Sequence, residues 1–572
     1  MKSKLVLLLC GIICGLALGG CERPPVLHAP PLALGISAPS AASNAPVPAP
    51  LLNRLPLALD KEGLTASILE GLRKRIMGRR ESLRDIERIA TQVGPIVAEA
   101  AQQPQVTAAL QQMAAESGLS LEEMRAQWVA MQEADLLLES GGDPDAVSPS
   151  QAVGVAQWLA GTARAHGLKV NLAESNRLTR KIDHLKWQIA WYTYLLCPDA
   201  DPHAPGAPTV SRQEIEAQLP VLQQELEMLR AKRRTVDARY DPRQAIFAQT
   251  RYLLRLYPRF PSPDWLFQAY HGGEGGVQRT LQKYLGGAWP GSATAIRYGR
   301  HGRPLRFEDL YLTTTPRSRP AAFAYLYGRS DDHRHYWWKL RASEEALALY
   351  RRDPAAFRSA WESLLPGRSR AALWYPNAQA QTLDDLPALQ SACASRRLTP
   401  VNPRAELEIR PAPLDTVQAQ QYAALCPETK GALLLVAGAY RQAGGKGRLR
   451  VGDMTLTQQY VERAKALHPP RPPKGPLWPP DPDLNNLPGG GPPADLNYHT
   501  VGVAFDLLRP ADPLQRKILD YTLGYLEDRQ IISRFEERDG GERRYHVVAN
   551  PHYAPVLTRI AATGHVPHLP GL

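Results

Sequence analysis

Apolar residues recur with a helical period of about 3.6 positions from about residue 57 to residue 132, among many charges and few glycines. We expect this helical segment to pack against the apolar run that follows it; a separate helical module is the alternative. Two more helical runs, about 174–196 and 211–235, are joined by a linker dense in Pro and Gly, which favours an antiparallel hairpin. Around His499 and His546 the apolar period changes to 2, which predicts strands.

The first hairpin run is rich in aromatic residues, which are either the core of the hairpin or a wall for stacking sugars. Helical spacing favours the core, because aromatic residues at that spacing usually bury themselves. The residues in question are Trp187, Trp191, Tyr192 and Tyr194.

The N-terminus predicts a destination in the bacterial cell envelope. Lys2 and Lys4 precede an apolar run, residues 5–18, that is too short to span a bilayer and resembles a signal-peptide core. The run ends in Leu-Gly-Gly-Cys21, which resembles the lipobox of bacterial lipoproteins, and an ordinary signal peptide is the alternative. The resemblance implies lipidation of Cys21, and Glu22 rather than Asp after it favours the outer membrane, facing the periplasm.

Charge narrows the class of partner. The formal net charge is +12 and the isoelectric point about 9.3, which suits an acidic partner such as anionic lipid or a carboxylate-bearing cell wall. The basic residues are scattered and lack interleaved aromatic residues, so we expect no nucleic-acid partner. Protein partners cannot be read from the sequence.

The most informative stretch lies between Asp135 and Ala163. An apolar run, residues 136–138, carries Glu139 to the end of a predicted helix, and a loop rich in Gly and Pro follows. A carboxyl group at the apolar end of a helix, facing a cleft, loses solvation, which favours its protonated form. A general acid that protonates a glycosidic oxygen needs that form. Asp135, one helical turn earlier, is either a second functional carboxyl group or a solvated one.

The residues after Glu139 follow a spacing, E-S-x-x-x-P-x-A-x-S-x-x-x-A-x-G-x-x-Q-x-x-x-x-T-A, that extends to Ala163. Two later blocks follow in order, D-A-R-Y-D-P at 237–242 and A-Y-H-G-G-E-G-G-V at 269–277. Together they resemble the catalytic domain of the soluble-type (family 1) lytic transglycosylases, which has a goose-lysozyme-like fold.

The resemblance implies a mainly α domain and an activity on peptidoglycan. One Glu, here Glu139, protonates the bond between MurNAc and GlcNAc and then acts as base, giving a 1,6-anhydro-MurNAc product without any cofactor. It also implies that Ser140, Gln157, Tyr270 and His271 bind the substrate, with Tyr270 hydrogen-bonding near Glu139. His271 stands where the family usually has Asn. A hydrolytic lysozyme and a non-catalytic peptidoglycan-binding lipoprotein are the alternatives.

A second group of residues predicts a metal site. The spacing H-x-x-G-x-A-x-D is met by His499 and Asp506, and His546 follows downstream. Two histidines and one carboxylate, with a position left open for water, form a catalytic zinc set. Satisfied core or surface histidines are the alternative.

This group resembles the zinc D-alanyl-D-alanine peptidases. The resemblance implies an α+β domain that holds Zn²⁺ and acts on wall peptides, with Arg441, in a strand like the family's S-G-Y-R, contacting the substrate. The family's base, a Glu two or three residues before the last His, is replaced here by arginine. Glu542 is the possible substitute, with Glu536 and Glu537 more distant, so the domain either cleaves wall peptides or only binds them.

The expected architecture is multidomain, with a mainly α lysozyme-like part and a C-terminal α+β part. Cys393 and Cys426 could form a disulfide in an oxidising compartment, which would leave Cys197 unpaired. The expected boundaries are 1–21 for the signal peptide, 22–56 for a Pro/Ala-rich tether, 57–300 for the transglycosylase domain with a helical insertion at about 168–236, 301–370 for an accessory helical segment and 371–572 for the zinc-peptidase-like domain.

Overall fold

The computed structural model describes residues 61–79, 81–197, 200, 203, 206–287, 305–329, 331–364, 374–375, 381–410, 419–467, 498–539, 542–569 and 572. The signal segment, the tether and Cys21 lie outside this described part. Among the described helices, none combines the length and the apolar character needed to cross a membrane.

In the first part of the chain, the described residues from 61 to 287, the regular secondary structure is helical apart from isolated β-bridges. It includes a π-helical turn, Ile89–Val93, and a 3-10 turn, Ala238–Tyr240. Its helices are α1 Lys61–Met77, α2 Ser82–Arg88, α3 Gly94–Ala101, α4 Pro104–Ser117, α5 Leu121–Ser140, α6 Ala160–Ala165, α7 Leu172–Leu196, α8 Arg212–Val236, α9 Pro242–Leu256, α10 Pro263–Gly272 and α11 Glu274–Leu285.

Four more helices lie in the described residues between 305 and 364. They are α12 Phe307–Thr313, α13 Pro320–Leu326, α14 Asp331–Arg352 and α15 Pro354–Leu364. Phe307 and Trp338 from these helices share one hydrophobic core with Trp128 of α5 and Trp265 of α10. The segment therefore completes the core of the first part.

Helix α5 is the central element of this core. Ser120 and Glu123 form a reciprocal capping box that begins the helix, and Gly141 ends it in the left-handed conformation, with φ 64°. Trp128 and Leu136 on its buried side are completely inaccessible to solvent. The helix is therefore held at both ends and along one side, and its last turn carries Glu139.

Helices α7 and α8 form the predicted antiparallel hairpin. Ile182 and Ile189 of α7 pack against Leu226 of α8. Trp191 and Tyr194 are also buried, as is Tyr192, so the core interpretation of these aromatic residues is confirmed, while Trp187 is half-buried.

A buried carboxylate joins the hairpin to the loop that follows α5. Asp145 in that loop forms ion pairs with Arg230 at 2.6 Å, with Lys186 at 3.4 Å and with Arg233. Burial raises the pKa of Asp145, but the positive charges of Lys186, Arg233 and Arg230 outweigh it and lower the pKa to about 2. The loop beside Glu139 is therefore tied to the helical insertion.

The C-terminal part is α+β. A five-stranded sheet has the order β2-β4-β5-β7-β6, in which β2 and β4 are parallel and the other pairs antiparallel. A second, two-stranded sheet pairs β1 with β3. The elements are α16 Leu386–Ala394, β1 Thr399–Pro400, β2 Leu407–Ile409, β3 Ala424–Leu425, α17 Pro427–Gln442, β4 Leu449–Val451, α18 Gln458–Leu467, β5 Ala504–Leu508, α19 Pro513–Asp528, β6 Ile532–Asp539, β7 Glu542–Ala549 and α20 Ala554–Thr563.

Strands were expected around both sites, and each site contains one: β5 carries Asp506 and β7 carries His546. His499 itself lies before β5, on a 3-10 turn, Tyr498–Val501. The strand expected at Arg441 is wrong, because this residue is exposed in the last turn of α17. The leucine-rich sequence of α17 is buried between the sheet and α20. Such an apolar run can form a buried helix as well as a buried strand.

The suggested disulfide is absent from the structure. Cys393 and Cys426 are not bonded to each other. Cys393 and Cys426 both pack against one small apolar cluster, which is how unpaired cysteines commonly contribute to a core.

Candidate functional site

The Glu139 carboxyl group is held by side chains from two other helices. Its side chain is 13% exposed, and its Oε1 lies 2.9 Å from the hydroxyl of Tyr336 and 3.0 Å from Nδ1 of His271. Glu139 belongs to α5, His271 to α10 and Tyr336 to α14. Tyr336 belongs to none of the sequence motifs and was not among the expected site residues.

The aromatic rings of His271 and Tyr336 also contact each other directly. Their rings stack with centroids 3.8 Å apart and planes 9° apart. The stack lies against Oε1 of Glu139, so it restricts the rotation of the carboxyl group. His271, expected to bind the substrate, is thus a direct neighbour of the expected acid.

Asp135 is not a solvated carboxylate, and that interpretation is wrong. Its side chain is completely buried; Oδ1 contacts the hydroxyl of Tyr336, and Oδ2 accepts a hydrogen bond of 2.7 Å from Nε2 of Gln249. Burial raises the pKa of Asp135 well above its usual range, and the charge of Glu139 raises it further. Burial, together with the two neighbouring carboxyl groups, likewise raises the pKa of Tyr336.

A buried amide network supports Asp135 from behind. Nε2 of Gln132 lies 3.0 Å from Oε1 of Gln249 and 2.8 Å from Oγ1 of Thr250. Oε1 of Gln132 accepts a hydrogen bond of 3.1 Å from the indole of Trp128. Each of these polar groups is buried and satisfied, which makes the network rigid.

The loop after α5 folds back tightly beneath the site. Gly154 has φ 77°, and a Cβ atom at this position would lie 1.9 Å from the backbone oxygen of Arg239. Only glycine fits such a close approach at positive φ. The guanidinium group of Arg239 is bound by Asp237 at 2.9 and 2.7 Å and donates to the backbone oxygen of Trp158. The D-A-R-Y-D-P block at 237–242 therefore supports the loop after α5, which carries the later residues of the spacing that begins at Glu139.

Three expected substrate-binding residues have structural contacts as well. The Ser140 hydroxyl lies 2.7 Å from the backbone oxygen of Val155, and Nε2 of Gln157 donates to the backbone oxygen of Gly154 at 2.9 Å. Their contacts with sugar remain predictions. Tyr270 was expected to hydrogen-bond near Glu139; its hydroxyl donates to the backbone oxygen of Ala156, and the charges of Asp135 and Glu139 act on it.

In the C-terminal part, the three expected metal ligands come together. Nε2 of His499 lies 3.2 Å and Nδ1 of His546 3.0 Å from Oδ1 of Asp506. All three side chains are buried, and their ligand atoms lie within 4.8 Å of one another. Antiparallel pairing of β5 with β7 sets Asp506 directly opposite His546, which brings the two side chains to one face of the sheet.

The surroundings of the cluster suit a cation. Nδ1 of His499 lies 2.5 Å from the backbone oxygen of Met454, an arrangement that turns Nε2 towards Asp506. Nε2 of His546 is buried and has no hydrogen-bond partner among the described residues. Burial lowers the pKa of His499, but the Asp506 carboxylate more than offsets it and raises the pKa to about 9. The donor set, two imidazoles and a carboxylate, fits Zn²⁺.

An arginine stands beside the cluster where the resembled peptidases carry their base. Nη1 of Arg544 lies 2.8 Å from Oδ2 of Asp506 and 2.6 Å from Oδ2 of Asp453. Glu536 cannot serve as base: it pairs with Arg509 at 3.3 Å and alternates with Phe535, whose ring lies against His546. Glu542 begins β7, and its side chain lies outside the described residues, as does that of Glu537.

Comparisons with known proteins identify one part of the chain. Residues 125–182 match the family model of the transglycosylase SLT domain. No curated protein and no solved structure matches the chain. The match begins on α5, includes Glu139 and the loop after it, and ends within α7. The chain therefore carries a transglycosylase SLT domain, a finding that supports a lytic transglycosylase with peptidoglycan as its substrate.

Proposed function

We propose that this chain cleaves the bond between MurNAc and GlcNAc in peptidoglycan and forms 1,6-anhydro-MurNAc, with Glu139 as both acid and base. The observation that carries the proposal is the Glu139 carboxyl group, which is partly exposed at the end of α5 and oriented through Oε1 by two other helices. Oε2 is then the oxygen available for proton transfer with the substrate.

The chemistry requires one carboxyl group that acts twice. Glu139 donates a proton to the glycosidic oxygen as the C–O bond breaks. The resulting carboxylate accepts the proton of the MurNAc 6-hydroxyl while that oxygen attacks C1 of the same sugar, so Glu139 regains its proton. A retaining glycosidase would need a second carboxylate as nucleophile. Asp135 is completely buried and cannot reach a sugar, which supports the single-carboxylate chemistry.

The test is a digest of purified sacculi with the full-length chain, beside Glu139→Gln as a nearly isosteric control. We expect the wild type to release anhydromuropeptides, identified by mass spectrometry, and Glu139→Gln to release none. Products heavier by one water, with reducing ends, would indicate a lysozyme instead. Intact sacculi carrying bound protein would indicate a non-catalytic wall-binding protein.

For the C-terminal part we propose a zinc site that binds wall peptides. The buried cluster of His499, Asp506 and His546 supports this, and a bound Zn²⁺ would act as a Lewis acid towards a peptide carbonyl. Arg544 is held by two carboxylates beside the cluster and cannot act as a base. We therefore favour peptide binding over peptide cleavage at this site.

Metal analysis tests the zinc site directly. We expect about one zinc per purified chain, since three ligands and a water complete a tetrahedral site, and a loss of zinc in His499→Ala. Unchanged zinc in His499→Ala would contradict the assignment. Release of trimmed wall peptides by the wild type, abolished in His499→Ala, would show cleavage instead of binding.

We also propose that Cys21 is lipidated and anchors the protein in the outer membrane, facing the periplasm. The lipobox-like sequence before Cys21 supports this. Metabolic labelling with a radioactive fatty acid should label the wild type and leave Cys21→Ser unlabelled. Recovery of the label in inner-membrane fractions would contradict the outer-membrane location.

A further inference from the structure

A chain of hydrogen bonds, in which each group donates to the next, runs from Trp128 of α5 through Gln249 of α9 towards Glu139. It begins at the indole N–H of Trp128, which can only donate, and which contacts Oε1 of Gln132 at 3.1 Å. Gln132 must then present Nε2 to Oε1 of Gln249 at 3.0 Å. Gln249 in turn presents its own Nε2 to Oδ2 of Asp135 at 2.7 Å. The indole group thus determines that Oδ2 of Asp135 is an acceptor.

The next member of the chain, Tyr336, has one proton and two carboxyl partners. Its hydroxyl contacts Oδ1 of Asp135 and lies 2.9 Å from Oε1 of Glu139. The hydroxyl can donate to only one of them, so the other contact would be repulsive if both carboxyl groups were ionised. At least one of the two acids therefore carries a proton.

Asp135 is the better place for that proton. It is completely buried, and the described residues provide no ion pair between it and a basic side chain. An isolated buried carboxylate is costly and usually becomes neutral. The titratable groups that face it are Glu139 on its own helix, Tyr270 on α10 and Tyr336 on α14, and none supplies a positive charge.

The position of the proton on Asp135 follows from the same contacts. Because Oδ2 accepts from Gln249, the proton belongs on Oδ1, where it points to Tyr336. The Tyr336 hydroxyl is then free to donate to Oε1 of Glu139, which also lies 3.0 Å from Nδ1 of His271. With His271 in the tautomer that carries its proton on Nδ1, both groups donate to Oε1, and the proton of Glu139 is left for Oε2.

We propose that Asp135 is a positioning residue that stays protonated and acts through Tyr336 to keep the Glu139 proton on Oε2. This inference rests on the proposed function of Glu139 as acid and base. During the reaction only the Oε2 proton moves, first to the glycosidic oxygen and later back from the MurNAc 6-hydroxyl. Asp135 and Tyr336 keep their protons, and their hydrogen bonds stabilise the Glu139 carboxylate between the two steps.

Two substitutions distinguish a neutral Asp135 from an ionised one. Asp135→Asn preserves the direction of the chain, because its amide can accept from Gln249 and donate to Tyr336. We expect its kcat to stay within about threefold of wild type, since both hydrogen bonds are retained, and its pH profile to superimpose on that of wild type. Asp135→Leu offers no donor, so the buried Tyr336 hydroxyl loses the partner that directs it towards Glu139. We expect its kcat to fall by about 5- to 100-fold, in line with the cost of leaving a buried polar group unsatisfied, with KM little changed.

Two results would overturn the proposal. One is an Asp135→Asn variant as inactive as Glu139→Gln, which would mean that Asp135 works as a charged group. The other is an alkaline limb of the Asp135→Asn profile displaced to lower pH, as the removal of a negative charge beside Glu139 would cause. Thermal melts of both variants show whether the fold is retained; if Asp135→Leu does not fold, the Asp135→Asn comparison still decides.

An infrared measurement tests the proton on Asp135 without any turnover. The difference spectrum of wild type and Asp135→Asn at neutral pH should contain the carbonyl band of a protonated carboxylic acid from wild type. A carboxylate band in its place would contradict the proposal. If the wild type released no anhydromuropeptides, the proposed function would fail, and the infrared band would still report the protonation of Asp135.

Discussion

Tyr336 lies 2.9 Å from Glu139 although 197 positions separate them in the chain. Glu139 lies in the last turn of α5, and Tyr336 belongs to α14, in the segment expected to be an accessory helical part. Helix α14 packs directly against α5, and its Tyr336, Trp337 and Trp338 are buried in the common core. The segment from 301 to 370 therefore provides part of the site, and we expect its removal to inactivate the SLT domain.

Replacing Tyr336 with Phe tests this relationship. The variant keeps the ring stacked on His271 but removes the hydroxyl that donates to Glu139. A hydrogen bond to a charged group contributes about 1.5 to 3 kcal/mol, so kcat for sacculus cleavage should fall about 10- to 100-fold. The control is Tyr350→Phe, a tyrosine in the same helix, which should keep full activity. Equal activity of the two variants would mean that the hydroxyl has no catalytic effect.

Gly154→Ala tests the close packing beneath the site. A Cβ atom would lie 1.9 Å from the backbone oxygen of Arg239, at a positive φ. We expect the free energy of unfolding to fall by at least about 2 kcal/mol, because both steric overlap and left-handed backbone strain oppose alanine. The matched control is Gly161→Ala, where a Cβ atom meets nothing within 4 Å. Urea unfolding measures both, and equal stability of the variants would contradict the packing.

Asp145→Asn tests the junction between the loop and the helical insertion through its pH dependence. The folded state holds the pKa of Asp145 at about 2, below the usual value of 3.8. Because the pKa of Asp145 is lower in the folded state, its carboxylate stabilises the fold at pH values above 3.8. This stabilisation is lost as the pH falls towards 2. At neutral pH, Asp145→Asn should be less stable than wild type by about 2 to 3 kcal/mol, from roughly two pKa units at 1.36 kcal/mol each.

The difference between the two proteins should shrink as the pH falls from about 4 to about 2, because wild-type Asp145 then becomes protonated as well. Unfolding curves for the pair across this range provide the measurement. A difference that did not depend on pH would show that the ion pairs with Lys186, Arg230 and Arg233 contribute little.

Removal of metal tests the C-terminal cluster independently of any activity. A ligand that binds only the folded state at 100 times its Kd adds about 2.7 kcal/mol. A chelator should therefore lower the Tm of the C-terminal part by roughly 5 to 10 °C, and added zinc should restore it. His499→Ala should melt at the same temperature with and without chelator. An unchanged Tm of the wild type in the presence of the chelator would contradict a bound metal.

The sequence was most informative where chemistry and local structure depend on neighbouring residues. The apolar run before Glu139 and the glycines after it were enough to predict a helix that ends at the acid, because a capping glycine acts within one helical turn. The hairpin was likewise predicted from local features, namely two helical runs joined by a linker dense in Pro and Gly. The strand expected at Arg441 was wrong, because it came from a resemblance to a four-residue motif, which is too short to determine whether the backbone forms a helix or a strand.

The sequence by itself determined the candidate residues for chemistry, namely Glu139 in its motif and the His499, Asp506 and His546 set. Only the tertiary structure decided what surrounds them. Tyr336 reaches Glu139 because α14 packs on α5, and Arg544 reaches Asp506 because β5 pairs with β7. Burial and long-range contact depend on how distant elements pack, and no local period or spacing encodes them. The environment of each carboxyl group, and hence its protonation, is therefore a property of the fold.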